Sequence, residues 1–159
     1  MLKALLKTDN NIVSLVLRLT LGGVIFAHGA RKVLGWFGGA GAVKTILIFN
    51  ESLGFSAPLS LLVMAAEFLG SIALVFGLFT RISALAIAVN IGVCAYMNHL
   101  KNGFFMNWFG QQKGEGFEFH ILIVGIALAL IIKGGGALSL DRGLTRETVT
   151  TFWNPSKDY

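Results

Sequence analysis

The 159-residue sequence is 55% hydrophobic and only 13% charged, whereas soluble domains carry about 25% charged residues. A water-soluble fold of this size cannot cover so much apolar surface, because small domains leave much of their surface exposed. The net charge of +5 suits lysines and arginines that flank membrane spans, and no basic stripe with interleaved aromatic residues indicates a nucleic-acid partner; the expected partner is the lipid bilayer.

Four apolar segments approach the roughly 20 residues that a helix needs to cross the hydrocarbon core. They cover residues 12–30, 58–79, 82–99 and 117–132. The last segment is short and must either extend into its flanking residues or thin the bilayer locally. Only Thr80 and Arg81 separate the second and third segments, which predicts a tight hairpin. The predicted fold is all-α: an integral membrane, antiparallel bundle of four transmembrane helices within residues 1–142.

The two longer connections are predicted to lie on the outer side of the membrane. The first contains a short amphipathic helix over residues 43–53, which we place at the membrane interface. The second, over residues 100–116, is rich in glycine and aromatic residues, a composition typical of the headgroup level. The distribution of lysine and arginine favours cytoplasmic N and C termini. Residues 143–159 are predicted to form a polar C-terminal tail.

Small residues recur at helical spacing within three of the predicted spans. Such faces let helices approach closely in lipid. They comprise Ala66 and Gly70 in the second span, Ala84, Ala88 and Gly92 in the third, and Gly125 and Ala129 in the fourth.

Ionisable residues inside the spans are costly, by about 2.5–3.5 kcal/mol each on insertion scales, and usually face the interior of a bundle. Arg18 lies about 4–5 Å to the cytoplasmic side of the centre of the first span, at about 1.5 Å per residue. Glu67 lies near the centre of the second span. We therefore predict an Arg18–Glu67 ion pair in which each charge offsets the other's desolvation. Asn90, at similar depth in the third span, completes this buried polar core.

Further polar residues gather at the outer ends of the predicted spans, where antiparallel packing brings them to one level. They predict an outer-facing pocket for a small lipophilic ligand, lined by His28, Lys32, Tyr96, His99, Glu118 and His120. A quinone suits such a pocket, because the carbonyl groups of a quinone accept hydrogen bonds. The histidine and carboxylate side chains of the pocket support proton uptake near neutral pH. The alternative is structural: the ion pair fixes helix register and the outer groups simply meet water.

A metal or haem site from His28, His99, His120 and Glu118 is a further alternative, but no metal is predicted, because Glu118 and His120 lie about 200° apart on a helix and cannot easily bind one ion. The single cysteine, Cys94, permits no intramolecular disulfide and no dithiol chemistry. We expect it to behave as a small apolar residue. Any electron transfer would then need another subunit or cofactor.

The sequence also resembles the DoxX family of small bacterial and archaeal membrane proteins over roughly residues 12–142. The motifs follow one another as Arg18-x-x-x-Gly22-Gly23, His28-Gly29-Ala30-x-Lys32, Gly35-x-Phe37-Gly38, Ala66-Glu67-x-x-Gly70, Gly77-Leu78-x-Thr80-Arg81, Phe117-Glu118 and Leu138-Ser139-Leu140-Asp141. The resemblance implies a multi-pass, four-span protein of the inner membrane, in a setting of thiosulfate:quinone oxidoreduction or of complexes that handle sulfur and oxidative stress. The residues that it singles out are Arg18, His28, Lys32, Glu67, Arg81 and Glu118.

Three functions are consistent with these features. The first is a quinone-interacting membrane subunit of a respiratory or sulfur-oxidising complex, with a quinone as cofactor. The second is a non-catalytic anchor or assembly partner for other enzymes. The third is a carrier of a small solute or lipid, which would require a homo-oligomer because no internal repeat is visible. The sequence does not decide among these functions, and it identifies neither a partner subunit nor a catalytic activity.

Overall fold

A computed structural model describes residues 2–150 of the chain, with side chains for residues 3–145. Throughout this part the regular structure is helical, which confirms the all-α class. The helices are α1 (Leu2–Leu6), α2 (Ile12–Val33), α3 (Gly41–Leu53), α4 (Ala57–Phe76), α5 (Thr80–Cys94), α6 (Glu118–Lys133) and α7 (Leu140–Thr150). Helix α5 continues through a π-helical turn, Ala95–His99, and a 3₁₀ turn, Leu100–Asn102. Helix α7 crosses the predicted start of the polar tail, and residues 151–159 lie outside the described part.

Three helical segments are long and apolar enough to cross a membrane: Ile12–Val33, Ala57–Phe76 and Thr80–Asn102. Their large apolar side chains, such as Leu62 and Val89, are mostly exposed, whereas Arg18 and Glu67 are buried. This arrangement, with an apolar exterior around buried charged groups, is the opposite of that in a soluble protein and is typical of helices in lipid. The chain is therefore a membrane protein. Helix α6 has 16 residues and is shorter than these three.

Helices α2, α4, α5 and α6 share one apolar core. Helix α2 packs along α4, helix α5 packs along α6, and α3 lies against α2 and α4. Each of the four core helices contributes buried side chains, and together these are Leu21, Ile25, Leu74, Ala84, Ile87, Ile91, Ile123, Ala127 and Leu130.

The turn between α4 and α5 consists of residues 77–79, not the predicted pair 80–81, which forms the first turn of α5. Gly77 ends α4 with φ 65°, a left-handed conformation that glycine adopts without strain. Asp141, at the start of α7, accepts hydrogen bonds from two backbone N–H groups at the start of α5, at 2.7 and 2.8 Å. This carboxylate satisfies N–H groups that have no partner within the helix.

Two glycines of α2 bring its backbone close to α4. A Cβ atom on Gly29 would lie 2.7 Å from Cα of Phe68, and one on Gly22 would lie 3.0 Å from a carbonyl oxygen of α4. The predicted role of Gly92 and Gly125 in close helix contacts is wrong, because a Cβ atom on either would meet nothing within 4 Å. The close approach is therefore between α2 and α4.

Candidate functional site

The predicted Arg18–Glu67 ion pair does not form. The buried Arg18 guanidinium instead donates hydrogen bonds to backbone carbonyl oxygens, which belong to Gly135 (3.0 Å), Leu74 (3.3 Å), Val75, Ala137 (3.0 Å) and Leu138 (2.8 Å). Two of these carbonyl groups, those of Leu74 and Val75, lie in the last turn of α4, and the Leu74 oxygen also accepts from the N–H of Gly77 at 3.0 Å. Arg18 thus joins the end of α4 to the segment that precedes α7.

The pairing prediction is wrong because α2 and α4 are offset along their common axis. Gly29 lies against Phe68, and Gly22 lies against the following turns of α4. Arg18 is consequently level with the C-terminal end of α4, about 10 Å or two turns beyond Glu67. Aligning the centres of the two spans, as the prediction did, ignores this offset.

Glu67 pairs with Lys32 instead. Nζ of Lys32 lies 2.6 and 2.5 Å from the two carboxylate oxygens of Glu67, and Asn90 Nδ2 donates to Glu67 Oε1 at 3.0 Å. Glu67 is only 2% exposed, so these two donors are needed to stabilise its negative charge. Helices α2, α4 and α5 each contribute one member. We call Lys32, Glu67 and Asn90 the polar triad.

The polar triad lines an apolar cavity of about 900 Å³ between α3, α4 and α5. Its apolar walls include Ile48, Phe49, Leu53, Leu59, Leu62, Val63, Leu85, Val89, Val93 and Met97. Two of these wall residues, Leu62 and Val89, are 66% and 58% exposed, so the cavity opens sideways toward lipid. Its volume and its few polar groups match pockets that bind small ligands.

A second, smaller cavity of about 430 Å³ adjoins the first at Lys32. Its lining includes His28 and the cations Arg31, Lys32 and Lys44, and contains no carboxylate among the described residues. We call it the basic vestibule. His28, a predicted ligand residue, lies in this vestibule and outside the lining of the apolar cavity.

The other predicted outer residues separate into different surroundings. The imidazole rings of His99 and His120 lie together, with centroids 4.2 Å apart. Glu118 Oε1 accepts hydrogen bonds from the backbone N–H of Met106 at 3.1 Å and the indole N–H of Trp108 at 3.2 Å. Glu118 therefore stabilises the loop before α6 through hydrogen bonds to Met106 and Trp108.

Two more candidates from the sequence, Tyr96 and Arg81, are not among the lining residues of either cavity. The side chain of Tyr96 is exposed. The Arg81 guanidinium donates to the carbonyl oxygens of Ile131 (2.5 Å), Ile132 (2.9 Å) and Lys7 (3.1 Å). Arg81 thus caps the C-terminal end of α6, where cations are favoured.

Sequence reasoning missed Cys94 as a member of a polar cluster. Ligand atoms of Cys94, His99 and His120 all lie within 4.8 Å of one another. Residues 94 and 99 would lie about 140° apart on an α-helix, whereas the π-helical turn between them brings residues five apart toward one face. No feature of the spacing could have indicated this.

Comparison with known proteins supports the family resemblance. The model of the DoxX family matches residues 13–100, more than half of the chain. A Bacillus subtilis protein named "Putative oxidoreductase CatD" is 31% identical over 130 residues, which is 82% of this chain and 85% of that protein. A Haemophilus influenzae protein named "Uncharacterized protein" is 31% identical over 90 residues, 57% of this chain, and the matched region spans 56% of that relative. No solved structure matches. The chain belongs to the DoxX family of membrane proteins.

Proposed function

We propose that the protein is a multi-pass inner-membrane component of a redox system that binds a quinone in the apolar cavity, with the head group at the polar triad. The observation that carries this proposal is the buried Glu67 carboxylate, held by Lys32 and Asn90 in the wall of a cavity that opens toward lipid. A ligand that diffuses in the bilayer can reach such a cavity without crossing water. The name of the Bacillus relative, "Putative oxidoreductase CatD", supports a redox setting.

The chemistry of the triad suits a quinone head group. Lys32 Nζ and Asn90 Nδ2 supply N–H donors for carbonyl oxygens, and the Glu67 carboxylate can accept a proton. The apolar walls, including Phe49, exclude water and match the ring and the isoprenoid tail. A bound quinone supplies two-electron redox chemistry, and with Cys94 as its single cysteine the chain needs another subunit as electron donor.

We further propose that α6 is a fourth span and that α3 lies at the outer interface. Helix α6 is about 24 Å long at 1.5 Å per residue, so it covers most of a hydrocarbon core of about 30 Å. Exposed aromatic residues of the preceding loop, Trp108 and Phe109, suit the headgroup region at its N-terminal end. Four spans place both termini on one side, and the charge distribution favours the cytoplasm.

The proposal is tested by titrating the purified protein, in lipid nanodiscs, with a short-chain ubiquinone analogue. We expect Glu67→Gln and Asn90→Ala to weaken binding at least about tenfold, or about 1.4 kcal/mol, because each removes a polar partner of the head group. Glu118→Gln is the matched control, since this carboxylate is bound to the loop and lies outside the cavity lining.

A cavity-filling variant keeps the test independent of the triad's role in folding. Leu62→Trp enlarges an exposed wall residue without disturbing the core, and we expect it to fold and to lose affinity for the analogue. Undiminished affinity in Glu67→Gln, Asn90→Ala and Leu62→Trp alike would exclude this cavity as the quinone site.

A second candidate function is the binding or transport of an anionic lipid. The basic vestibule and the apolar cavity share Lys32, Ile48 and Phe49, so an anionic head group and an acyl or prenyl tail could occupy them together. Under this alternative, Arg31→Ala with Lys44→Ala would release the bound molecule, whereas a quinone held at the triad would stay. The remaining function considered from the sequence, a non-catalytic anchor or assembly partner, requires neither cavity.

A further inference from the structure

We propose that Cys94, His99 and His120 form a binding site for a transition-metal ion at the outer end of α5 and α6. Their ligand atoms all lie within 4.8 Å of one another, and the two imidazole rings are in contact. Zn–S bonds of about 2.3 Å and Zn–N bonds of about 2.0–2.1 Å hold neighbouring ligand atoms roughly 3.5 Å apart in a tetrahedral site. The separation of up to 4.8 Å is wider, so metal binding requires side-chain rotations that bring the three atoms together.

His120 provides an independent indication of a ligand. Its side chain is 8% exposed, and its buried Nδ1 atom has no hydrogen-bond partner within the described residues. A buried polar atom without a partner costs about 1–3 kcal/mol, and most such atoms in proteins are satisfied. A metal ion held with Cys94 and His99 would satisfy this nitrogen.

The neighbours of the cluster orient two of its members. His99 Nδ1 lies 2.9 Å from the backbone carbonyl oxygen of Glu115, and since a carbonyl only accepts, Nδ1 carries the proton and Nε2 keeps its lone pair. Metal-bound histidines are commonly held in this way by a carbonyl group. Asn98 Nδ2 lies 3.9 Å from the Cys94 sulfur, where an N–H donor stabilises a thiolate.

The ligand set indicates the class of ion. One thiolate and two imidazoles favour zinc or copper over the hard ions magnesium and calcium, which prefer oxygen. Three protein ligands leave a fourth position for water or another molecule.

The prediction of no metal rested on Glu118 and His120, a pair that this cluster does not combine. Because Cys94 also lines the apolar cavity, the ion would lie beside the proposed quinone site, yet its binding can be measured separately.

The test uses metal-stripped full-length protein without a polyhistidine tag, titrated with Zn²⁺ in a calorimeter and with Co²⁺ in a spectrophotometer. We expect one Zn²⁺ per chain, release of the thiol proton and a cobalt spectrum with a sulfur-to-metal charge-transfer band. Cys94→Ser should abolish that band, and both Cys94→Ser and His120→Gln should weaken Zn²⁺ binding at least about tenfold.

His28→Gln is the matched control, because His28 is the one histidine of the chain outside the cluster. The variant therefore leaves all three proposed ligands intact. Zn²⁺ should raise the unfolding temperature of the wild type and of His28→Gln but not of Cys94→Ser. Tighter binding of copper than of zinc would also support the proposal. Zn²⁺ affinity equal in Cys94→Ser and the wild type, or Mg²⁺ binding as tight as Zn²⁺ binding, would overturn it.

Discussion

Five carbonyl oxygens surround the Arg18 guanidinium, and this arrangement explains how a charge is kept inside an apolar bundle. Arginine presents five N–H donors in a planar fork, so one side chain can satisfy carbonyl groups from two separate segments. The negative end of the α4 dipole adds to the attraction. Arg18 therefore has a structural role at this end of the molecule.

Arg18→Lys tests this role directly. A lysine has a compact ammonium with three donors and would leave buried carbonyl groups unsatisfied, so we expect a loss of at least about 2 kcal/mol in the free energy of unfolding. Denaturant titration in detergent micelles measures it. Arg31→Lys, at an exposed position of the same helix, should leave stability nearly unchanged. Equal stability of the two variants would argue against the five-carbonyl arrangement.

At this scale the sequence indicated which charges are buried but not their partners. Arg18 and Glu67 lie within apolar segments, and the cost of exposing charge to lipid forces such residues inward. The partner depends on how far one helix is shifted along the next, which no single residue encodes. Lys32, expected at the outer mouth, reaches Glu67 because the shift brings the end of α2 level with the middle of α4.

Helices α2 and α4 keep their register through Gly29, which lies against the backbone at Phe68. We expect Gly29→Ala to destabilise the protein by about 1–3 kcal/mol, because the added methyl group forces the two backbones apart. Thermal unfolding of purified protein is the measurement. Gly23→Ala is the control in the same helix: its Cβ atom meets nothing within 4 Å, and it should be neutral or slightly stabilising. A Gly29→Ala variant as stable as Gly23→Ala would contradict the close approach.

The positions of the helices can largely be predicted from the sequence, because their apolar runs are long and continuous. The amphipathic segment predicted over residues 43–53 lies within α3, Gly41–Leu53. The conformation at the end of α5 cannot be predicted in the same way. Its apolar pattern runs to His99, but the π-helical turn depends on local backbone packing. This turn brings Cys94 toward His99, and the packing of α5 against α6 adds His120.

At the scale of the whole molecule, the two ends of the helices have different roles. At one end, Arg18 and Asp141 link α4, α5 and the segment around α7 through hydrogen bonds to the backbone. Toward the other end lie the apolar cavity, the basic vestibule and the partly buried cluster of Cys94, His99 and His120. We therefore assign a structural role to the end that holds Arg18 and Asp141, and we place ligand binding toward the end that holds the polar triad.

The central claim is that the apolar cavity with its polar triad holds a quinone. Mass spectrometry of small molecules extracted from gently purified protein tests it most directly, with wild type and Leu62→Trp compared side by side. We predict a near-stoichiometric quinone in the wild type that is depleted in Leu62→Trp. An anionic lipid that is lost from the variant in place of a quinone, or an identical set of molecules in both proteins, would contradict the claim.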